Sequence, residues 1–290
     1  MIRTASDRRG VCGSAALGIA LSVVSLASSP TGAQAPEPVS LRIGPPVGET
    51  VRMRLDQRVE MSGTTRMAAG DSTATVVTTL VVISRAFVER RDRDATVLLT
   101  STDSVAAAST GADSMVIAEE TRRALQGKRV RLRVAPDGAT EILGKGIDGT
   151  PELSAIFSQM PATLPNMAVP VGYSWSRVMV APIDPSLTTK GEGGKLSATF
   201  RLDSLSRTGD RAYVSVSGTL SRAPGMKYGQ ATMTLSGSMT GGFVIDRRRG
   251  WISDARLTYT VRSTVMPSNG NAADAMRFRM KVTQWVRVVQ

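Results

Sequence analysis

The chain has 290 residues, a net charge of +12, no histidine and a single cysteine, Cys12. Without histidine and with Cys12 in a leader, the Ser-His-Asp and Cys-His catalytic arrangements, the usual zinc sites and thiol redox chemistry are excluded. The positive charge favours acidic partners such as anionic lipid, lipopolysaccharide or polyanionic glycans, but it does not determine the fold.

Residues 1–35 have the pattern of a secretory signal peptide. Three arginines precede an apolar run at about 15–27, and small residues follow that run. The run is shorter than the roughly 20 apolar residues of a membrane-spanning helix. We therefore expect the protein to be exported to the periplasm or the extracellular space. Whether it also associates with the outer membrane stays open. The remaining chain carries a net charge of +10, since the leader contains Arg3, Asp7, Arg8 and Arg9.

Apolar and polar residues alternate from Val51 onward, which is typical of a half-buried antiparallel strand. Long neighbouring strands accumulate twist, so the expected fold class is mainly β, with a curved antiparallel sheet or part-barrel of about eleven strands. Glycines at turn positions, such as Gly138, Gly209 and Gly250, separate several of these strands. After the first strand, the other ten are predicted at about 79–90, 95–103, 128–135, 139–144, 173–181, 196–206, 211–221, 229–246, 251–263 and 275–289.

Two segments break the alternation and predict one or two short helices, Ser114–Leu125 and 151–160. The first contains an apolar start followed by a charged run. The second has proline in its first turn and apolar residues at helical spacing. We expect the second helix to cover one face of the sheet.

A short internal sequence repeat suggests that the chain consists of two related halves. Residues 46–51, PVGETV, recur as PVGYSW at 170–175, and each copy opens a predicted strand. On this interpretation, a first β half with the short helices covers 36–165, and a second half with the long C-terminal strands covers 166–290. Strand openings of this kind also resemble one another by chance in a β-rich chain, so both interpretations stay open.

The acidic residues form no recognisable catalytic pattern. Most lie in predicted turns, as Asp92, Asp137 and Asp210 do, where side-chain hydrogen bonds to the backbone account for them. A carboxylate pair or a Ser-Lys pair remains chemically open, but no spacing supports either. We expect a non-enzymatic protein without metal or cofactor; a carboxylate-dependent hydrolase is an alternative.

Basic residues recur at i, i+2 on three predicted strands, so that each set projects from one face. If the strands are neighbours, they form a cationic face for an anionic envelope component. The alternative is an outer face that is kept soluble and protected from edge pairing. Few aromatic residues accompany the arginines, so no nucleic-acid binding is expected. The residues of this basic face are Arg52, Arg54, Arg129, Arg131, Arg133, Arg277, Arg279 and Lys281.

Leu164-Pro165 followed by Gly172-Tyr173-Ser174-Trp175 resembles a strand opening in uncharacterised exported β-rich proteins of Gram-negative bacteria. That resemblance implies no particular activity. The expected architecture is also similar to periplasmic lipoprotein-carrier half-barrels, which implies an apolar ligand. Methionine on the apolar side of several strands is compatible with an adaptable pocket, although ordinary core filling is its commoner use.

The leading hypothesis is a non-enzymatic envelope protein that binds an apolar or anionic ligand or partner through its curved sheet. Candidate partners are an envelope lipid, lipopolysaccharide or another envelope protein, with peripheral membrane contact. A structural surface protein without a small ligand is the alternative.

Overall fold

The computed structural model describes residues 37–67, 70–111, 114–144, 163–180, 195–221, 226–228, 231–267 and 275–289. They contain one helix, α1 (Ser114–Leu125), and twelve strands. The strands are β1 (Thr50–Met67), β2 (Gly70–Asp92), β3 (Ala95–Ser109), β4 (Arg129–Val134), β5 (Thr140–Ile142), β6 (Ser174–Val180), β7 (Lys195–Leu205), β8 (Arg211–Ser221), β9 (Met226–Tyr228), β10 (Ala231–Asp246), β11 (Trp251–Met266) and β12 (Met276–Val288).

All the strands belong to one open antiparallel sheet, so the predicted mainly β fold class is confirmed. Its order is β5-β4-β3-β2-β1-β12-β11-β10-β8-β7-β6, with the short β9 paired to β10 beside this path. The first and last long strands of the chain, β1 and β12, are therefore neighbours at the centre, while β5 and β6 form the two edges.

The sequence-based boundaries differ from the structure at several strands; β3, for example, extends to Ser109 rather than to the predicted 103. β2 begins at Gly70, earlier than the predicted 79, because 70–78 pair with β1 in a continuous hairpin whose polar residues hide the alternation. The predicted strand at 229–246 begins at Ala231, and β9 is separate. The helix at Ser114–Leu125 is confirmed, whereas the one predicted at 151–160 lies outside the described residues.

Successive side chains of a strand point to opposite faces, and the register shows which residues share a face. Val51 is opposite Ala86, and Val88 is opposite Leu98; all four are buried. We call the face that carries them the core face and the opposite one the outer face. Buried apolar residues from both ends of the sheet form a single cluster on the core face.

Residues 163–169 connect the two ends of the sheet. The backbone N–H groups of Thr163 and Leu164 donate to Asp137 O, in the turn between β4 and β5, each at 2.9 Å. From the opposite end, the indole Nε1 of Trp175 on β6 donates to Thr163 O at 2.7 Å. Because one segment bonds to both ends, the sheet must curl towards its core face.

Residues 39–44 add a second connection. Val39 and Val169 form an isolated antiparallel bridge just before β6. Ile43 N donates to Pro136 O at 2.8 Å, and Gly44 N donates to Gly250 O, in the β10–β11 turn, at 2.9 Å. We call 39–44 and 163–169 the closing segments, because together they hold three separate parts of the sheet against one core.

The two copies of the internal sequence repeat, at 46–51 and 170–175, have the same local geometry. Gly48 and Gly172 have φ angles of 86° and 89°. Gly48 N donates to Val88 O at 2.9 Å, and Gly172 N donates to Leu202 O at 2.7 Å. Both acceptor residues are fully buried and are followed by a register shift. The division of the chain at 165/166 into related halves stays a prediction.

Gly250→Ala should weaken the closing of the sheet. Gly250 has a φ of 62°, and a Cβ there would lie 2.8 Å from the backbone of Gly44. Gly172→Ala is the control, because it has a similar positive φ but no atom within 4 Å of the added Cβ. Both variants carry the left-handed cost of about 1–2 kcal/mol. For Gly250→Ala we expect the free energy of unfolding, measured by urea titration, to fall by a further ~1–3 kcal/mol because the added Cβ overpacks the contact with Gly44. Equal losses in the two variants would show that this contact does not help to close the sheet.

Candidate functional site

The core face is buried on one side of the sheet and open on the other. On β7, β8 and β10 its residues are almost completely covered, as Phe200, Val214 and Met239 show with 3% exposure each. On β1, β2, β11 and β12 many core-face residues are only half-buried, although Val51, Ala86, Val88 and Val265 are buried. We call the half-buried area the open floor; its apolar members include Leu55, Val59, Leu80, Val82, Leu257, Tyr259, Val261, Met280, Val282 and Val286.

Local sequence explains why the open floor is apolar. Strict alternation along β1 and β12 sends every second residue to the core face, and the register places the two apolar series side by side. Val59 thus lies opposite Val282, which in turn lies opposite Tyr259 on β11. The result is a continuous apolar surface across four neighbouring strands.

A small polar group lies within the open floor. Gln57 and Gln284 are opposite each other on β1 and β12, and Gln284 Nε2 donates to Gln57 Oε1 at 3.1 Å. Tyr259 is diagonal to Gln284 on the next strand. Burial raises the pKa of the Tyr259 phenol, so the group stays neutral and keeps its O–H donor at neutral pH. The amides have hydrogen-bonding capacity beyond their mutual bond.

The structure divides the predicted basic face. All eight residues point to the outer face, but β4 is separated from β1 by β2 and β3. Arg131 Nε donates to Glu89 at 2.7 Å, and Arg133 Nε donates to Asp92 at 3.2 Å. The hydrogen bond from Arg131 lowers the pKa of the Glu89 carboxyl. The charges of this set are therefore largely compensated locally.

The β1 set is also partly compensated. Arg54 donates to Asp56 through Nη2 at 2.7 Å, and Arg287 Nη2 lies 3.8 Å from the same carboxylate. Arg52 and Arg129 are exposed, and Arg52 lies opposite Arg85 of β2. Neither makes an ion pair with any other described residue.

Four exposed cations near the start of β12 remain without an ion pair among the described residues. Arg279 lies opposite Arg262 of β11, a residue that sequence analysis missed because no basic residue lies two positions away from it in the strand. Glu60, opposite Lys281, forms its ion pair with Arg58 at 2.8 Å; the hydrogen bond from Arg58 is the main cause of its lowered pKa, and Lys281 and Arg279 contribute less. We call the four residues the tip cations: Arg262, Arg277, Arg279 and Lys281.

A second outer-face cluster surrounds Trp285. The guanidinium carbons of Arg256 and Arg287 lie 4.4 and 3.9 Å from the centre of the indole ring. The indole Nε1 donates to Asp254 at 2.8 Å. These contacts fix the tryptophan beside a shallow depression of about 380 Å³ whose lining includes Thr258. The register between β11 and β12 creates this cluster, with Arg256 opposite Trp285 and Asp254 opposite Arg287, so its members show no common signal in the sequence.

Three further findings concern metal-binding groups, membrane-spanning helices and carboxylate pairs. The described residues include no group of three or more Cys, Asp or Glu placed to hold a metal ion. Within the same part of the chain, no helix has the length and hydrophobicity needed to cross a membrane. The carboxylates nearest the predicted basic residues are ion-paired to arginine rather than facing one another across a cleft.

Sequence comparison identifies a related family for part of the chain. Residues 147–252 match a family of unknown function, DUF6263. The matched range includes β6, β7, β8 and β10 and thus much of the buried side of the core face. No curated protein matches the chain significantly.

Three solved structures show distant similarity. A lipovitellin structure, described for its lipid–protein interactions, is 10% identical with a TM-score of 0.49; the alignment covers 85% of this chain and 26% of lipovitellin. An outer-membrane channel from Pseudomonas putida F1 is 9% identical with a TM-score of 0.22, and 85% and 97% of the two chains are covered. A protein from Bacteroides fragilis described as having a YmcC-like fold is 8% identical with a TM-score of 0.18, at 87% and 100% coverage. All three TM-scores are below 0.5.

Arg131→Gln tests whether part of the predicted basic face is structural. The lowered pKa of Glu89 means that its pair with Arg131 stabilises the fold above the ordinary glutamate pKa of about 4.3. This contribution is lost as the pH falls through the lowered folded-state pKa. We therefore expect Arg131→Gln to lower the urea midpoint at neutral pH, and the difference from the parent protein to shrink below about pH 4.

Arg129→Gln is the matched control for this prediction. Arg129 is exposed on the same strand and has no ion pair with a described residue. Its substitution should leave the midpoint almost unchanged at every pH. The structural interpretation of Arg131 would be wrong if the two variants behaved alike.

Proposed function

We propose that this is an exported, non-enzymatic binding protein that holds an apolar ligand with a hydrogen-bonding group, such as a lipid, on the open floor. The observation that carries the proposal is the contrast across one face of one sheet. Phe200 and Met239 are 3% exposed, whereas the apolar residues of the open floor are only half-buried. Large continuous apolar surfaces on soluble proteins commonly mark binding sites.

Ligand burial on this surface would supply enough free energy for useful affinity. Each methylene removed from water contributes about 0.8 kcal/mol. About ten buried methylenes would provide roughly 8 kcal/mol before the cost of immobilising the ligand is subtracted. An acyl chain is therefore a ligand of suitable size, and its extended shape fits a floor formed by parallel rows of side chains.

The polar group of Gln57, Gln284 and Tyr259 favours an amphiphile over a pure hydrocarbon. Apolar sites usually contain a few placed polar groups that fix ligand orientation. The two amides are hydrogen-bonded at 3.1 Å, and burial keeps the Tyr259 phenol protonated. An ester, hydroxyl or carboxylic acid group would find both donors and acceptors there.

The exported location rests on the leader at 1–35, which lies outside the described residues. Export would place the protein where envelope lipids are available. The hydrolase alternative lacks support from any facing pair of carboxylates among the described residues, since the outer-face acids nearest the basic strands pair with arginine. The structural-protein alternative predicts that no small ligand binds.

Val282→Asp and Thr283→Asp form a matched test. The two residues are adjacent on β12, but Val282 lies in the open floor and Thr283 is exposed on the outer face. With N-phenyl-1-naphthylamine as an uncharged apolar probe, fluorescence titration should show roughly 10- to 100-fold weaker binding for Val282→Asp. Thr283→Asp should bind like the parent protein.

Circular dichroism and a urea midpoint are needed to show that both variants fold. Should Val282→Asp unfold, Leu257→Ser and Thr258→Ser repeat the comparison on β11 with a milder change. Failure of the parent protein to bind the probe, or equal loss in floor and outer-face variants, would contradict the proposal.

A further inference from the structure

The start of β12 carries apolar side chains on one face and cations on the other. Residues 276–281 alternate strictly: Met276 and Phe278 point to the core face, and the intervening residues are tip cations. Met276 is 41% exposed and Phe278 is 38% exposed. Met61 of β1, which lies opposite Met280 on the same face, is 47% exposed. We call Met61, Met276 and Phe278 the tip apolar residues.

The tip cations form a dense positive patch. Residues two apart on a strand are separated by about 7 Å, and neighbouring strands by about 4.8 Å. Arg277, Arg279 and Lys281 therefore span about 14 Å, with Arg262 directly beside Arg279. The mutual repulsion of these charges is offset only in part, since Glu60 interacts with Lys281 and Arg279 but is hydrogen-bonded to Arg58. An external anionic surface would relieve it.

The apolar side of the tip restricts what that surface can be. A soluble polyanion would contact the cations but leave three large apolar side chains in water. At a bilayer interface, phosphate groups and acyl chains lie within a short depth of each other. If the start of β12, which we call the strand tip, enters the interface edge-on, the cations can contact phosphates while the apolar side chains contact acyl chains. Exposed apolar residues next to Lys and Arg are typical of proteins that bind anionic membrane surfaces.

We propose that the strand tip docks on a bilayer containing anionic phospholipid. The tip cations contact headgroup phosphates, and the tip apolar residues enter the boundary with the acyl chains. The Phe278 ring lies against Gly63 of β1, where an added Cβ would approach it to 3.3 Å, and the residue nevertheless remains exposed. The proposal goes beyond ligand binding on the open floor, because docking does not require the floor to be occupied.

Docking also gives the open floor a route to its ligand. Met280 belongs to the floor and follows Phe278 on the same face of β12, so the two surfaces are continuous. A lipid leaving the bilayer beside the tip would move along one uninterrupted apolar surface. No part of this route crosses the row of cations, which lies on the outer face.

Cosedimentation with vesicles tests the docking site. The full chain, purified after expression in a Gram-negative host, is mixed with phosphatidylcholine vesicles with or without phosphatidylglycerol. We expect binding only when phosphatidylglycerol is present. The triple variant Arg277→Gln/Arg279→Gln/Lys281→Gln should weaken it roughly 100-fold near physiological salt, since three surface cations are removed. Raising the salt to 1 M should weaken the parent protein as well, because the screening length falls to about 3 Å.

The control triple is Arg201→Gln/Arg207→Gln/Arg211→Gln. These arginines are exposed around the β7–β8 turn, at the opposite strand ends, and their removal changes the net charge by the same amount. This triple should bind vesicles like the parent protein. Equal weakening by both triples would show that net charge alone is responsible and would overturn the docking site.

The apolar contribution needs its own variants. Met276→Ser/Phe278→Ser should weaken vesicle binding at both salt concentrations, whereas Met167→Ser/Val178→Ser should not, although Met167 and Val178 are 57% and 70% exposed. An unaffected Met276/Phe278 variant would contradict insertion. All four variants should still bind N-phenyl-1-naphthylamine, which separates failure of the docking site from failure of the open floor.

Discussion

The closing segments determine how the rest of this sheet is used. Thr163 and Leu164 bond to the β4–β5 turn while Trp175 of β6 bonds back to Thr163. The strands involved are at opposite ends of the sheet order, so these few hydrogen bonds force curvature on all the strands between them. One side of the core face becomes a packed interior, and β1, β2, β11 and β12 are left as a half-open surface. The candidate site is thus a consequence of closure rather than of a dedicated loop or helix.

The central strands serve two surfaces at once because side chains alternate along them. β12 contributes Val282 and Gln284 to the open floor, and Lys281 and Arg279 to the outer face. A change of one residue in its register with β1 would exchange these surfaces. The twelve paired positions from Met53 to Thr64 therefore fix both the ligand surface and the charge pattern. Closure and register together produce the proposed binding and docking sites.

The local sequence pattern located most of the strands and one helix, but it did not show which strands are neighbours in the sheet. Alternation identified β1, β7 and β12, and the helix at Ser114–Leu125 was predicted with its observed bounds. The pairing of β1 with β12 joins residues more than 200 positions apart, as Gln57 and Gln284 show, and no local signal encodes it. For the same reason sequence analysis grouped Arg131 with Arg279, although their strands are separated, and overlooked Arg262. The polar group of Gln57, Gln284 and Tyr259 could also not be predicted without the strand register.

Native mass spectrometry combined with organic extraction tests the central claim, that the open floor holds an apolar ligand. The protein would be purified gently, without detergent, from the periplasm of a host expressing the full chain, alongside Val282→Asp and Thr283→Asp. We expect a co-purifying lipid mass in the parent protein and in Thr283→Asp, and its loss in Val282→Asp. A ligand-free mass for the parent protein, unchanged after incubation with envelope lipids, would contradict it.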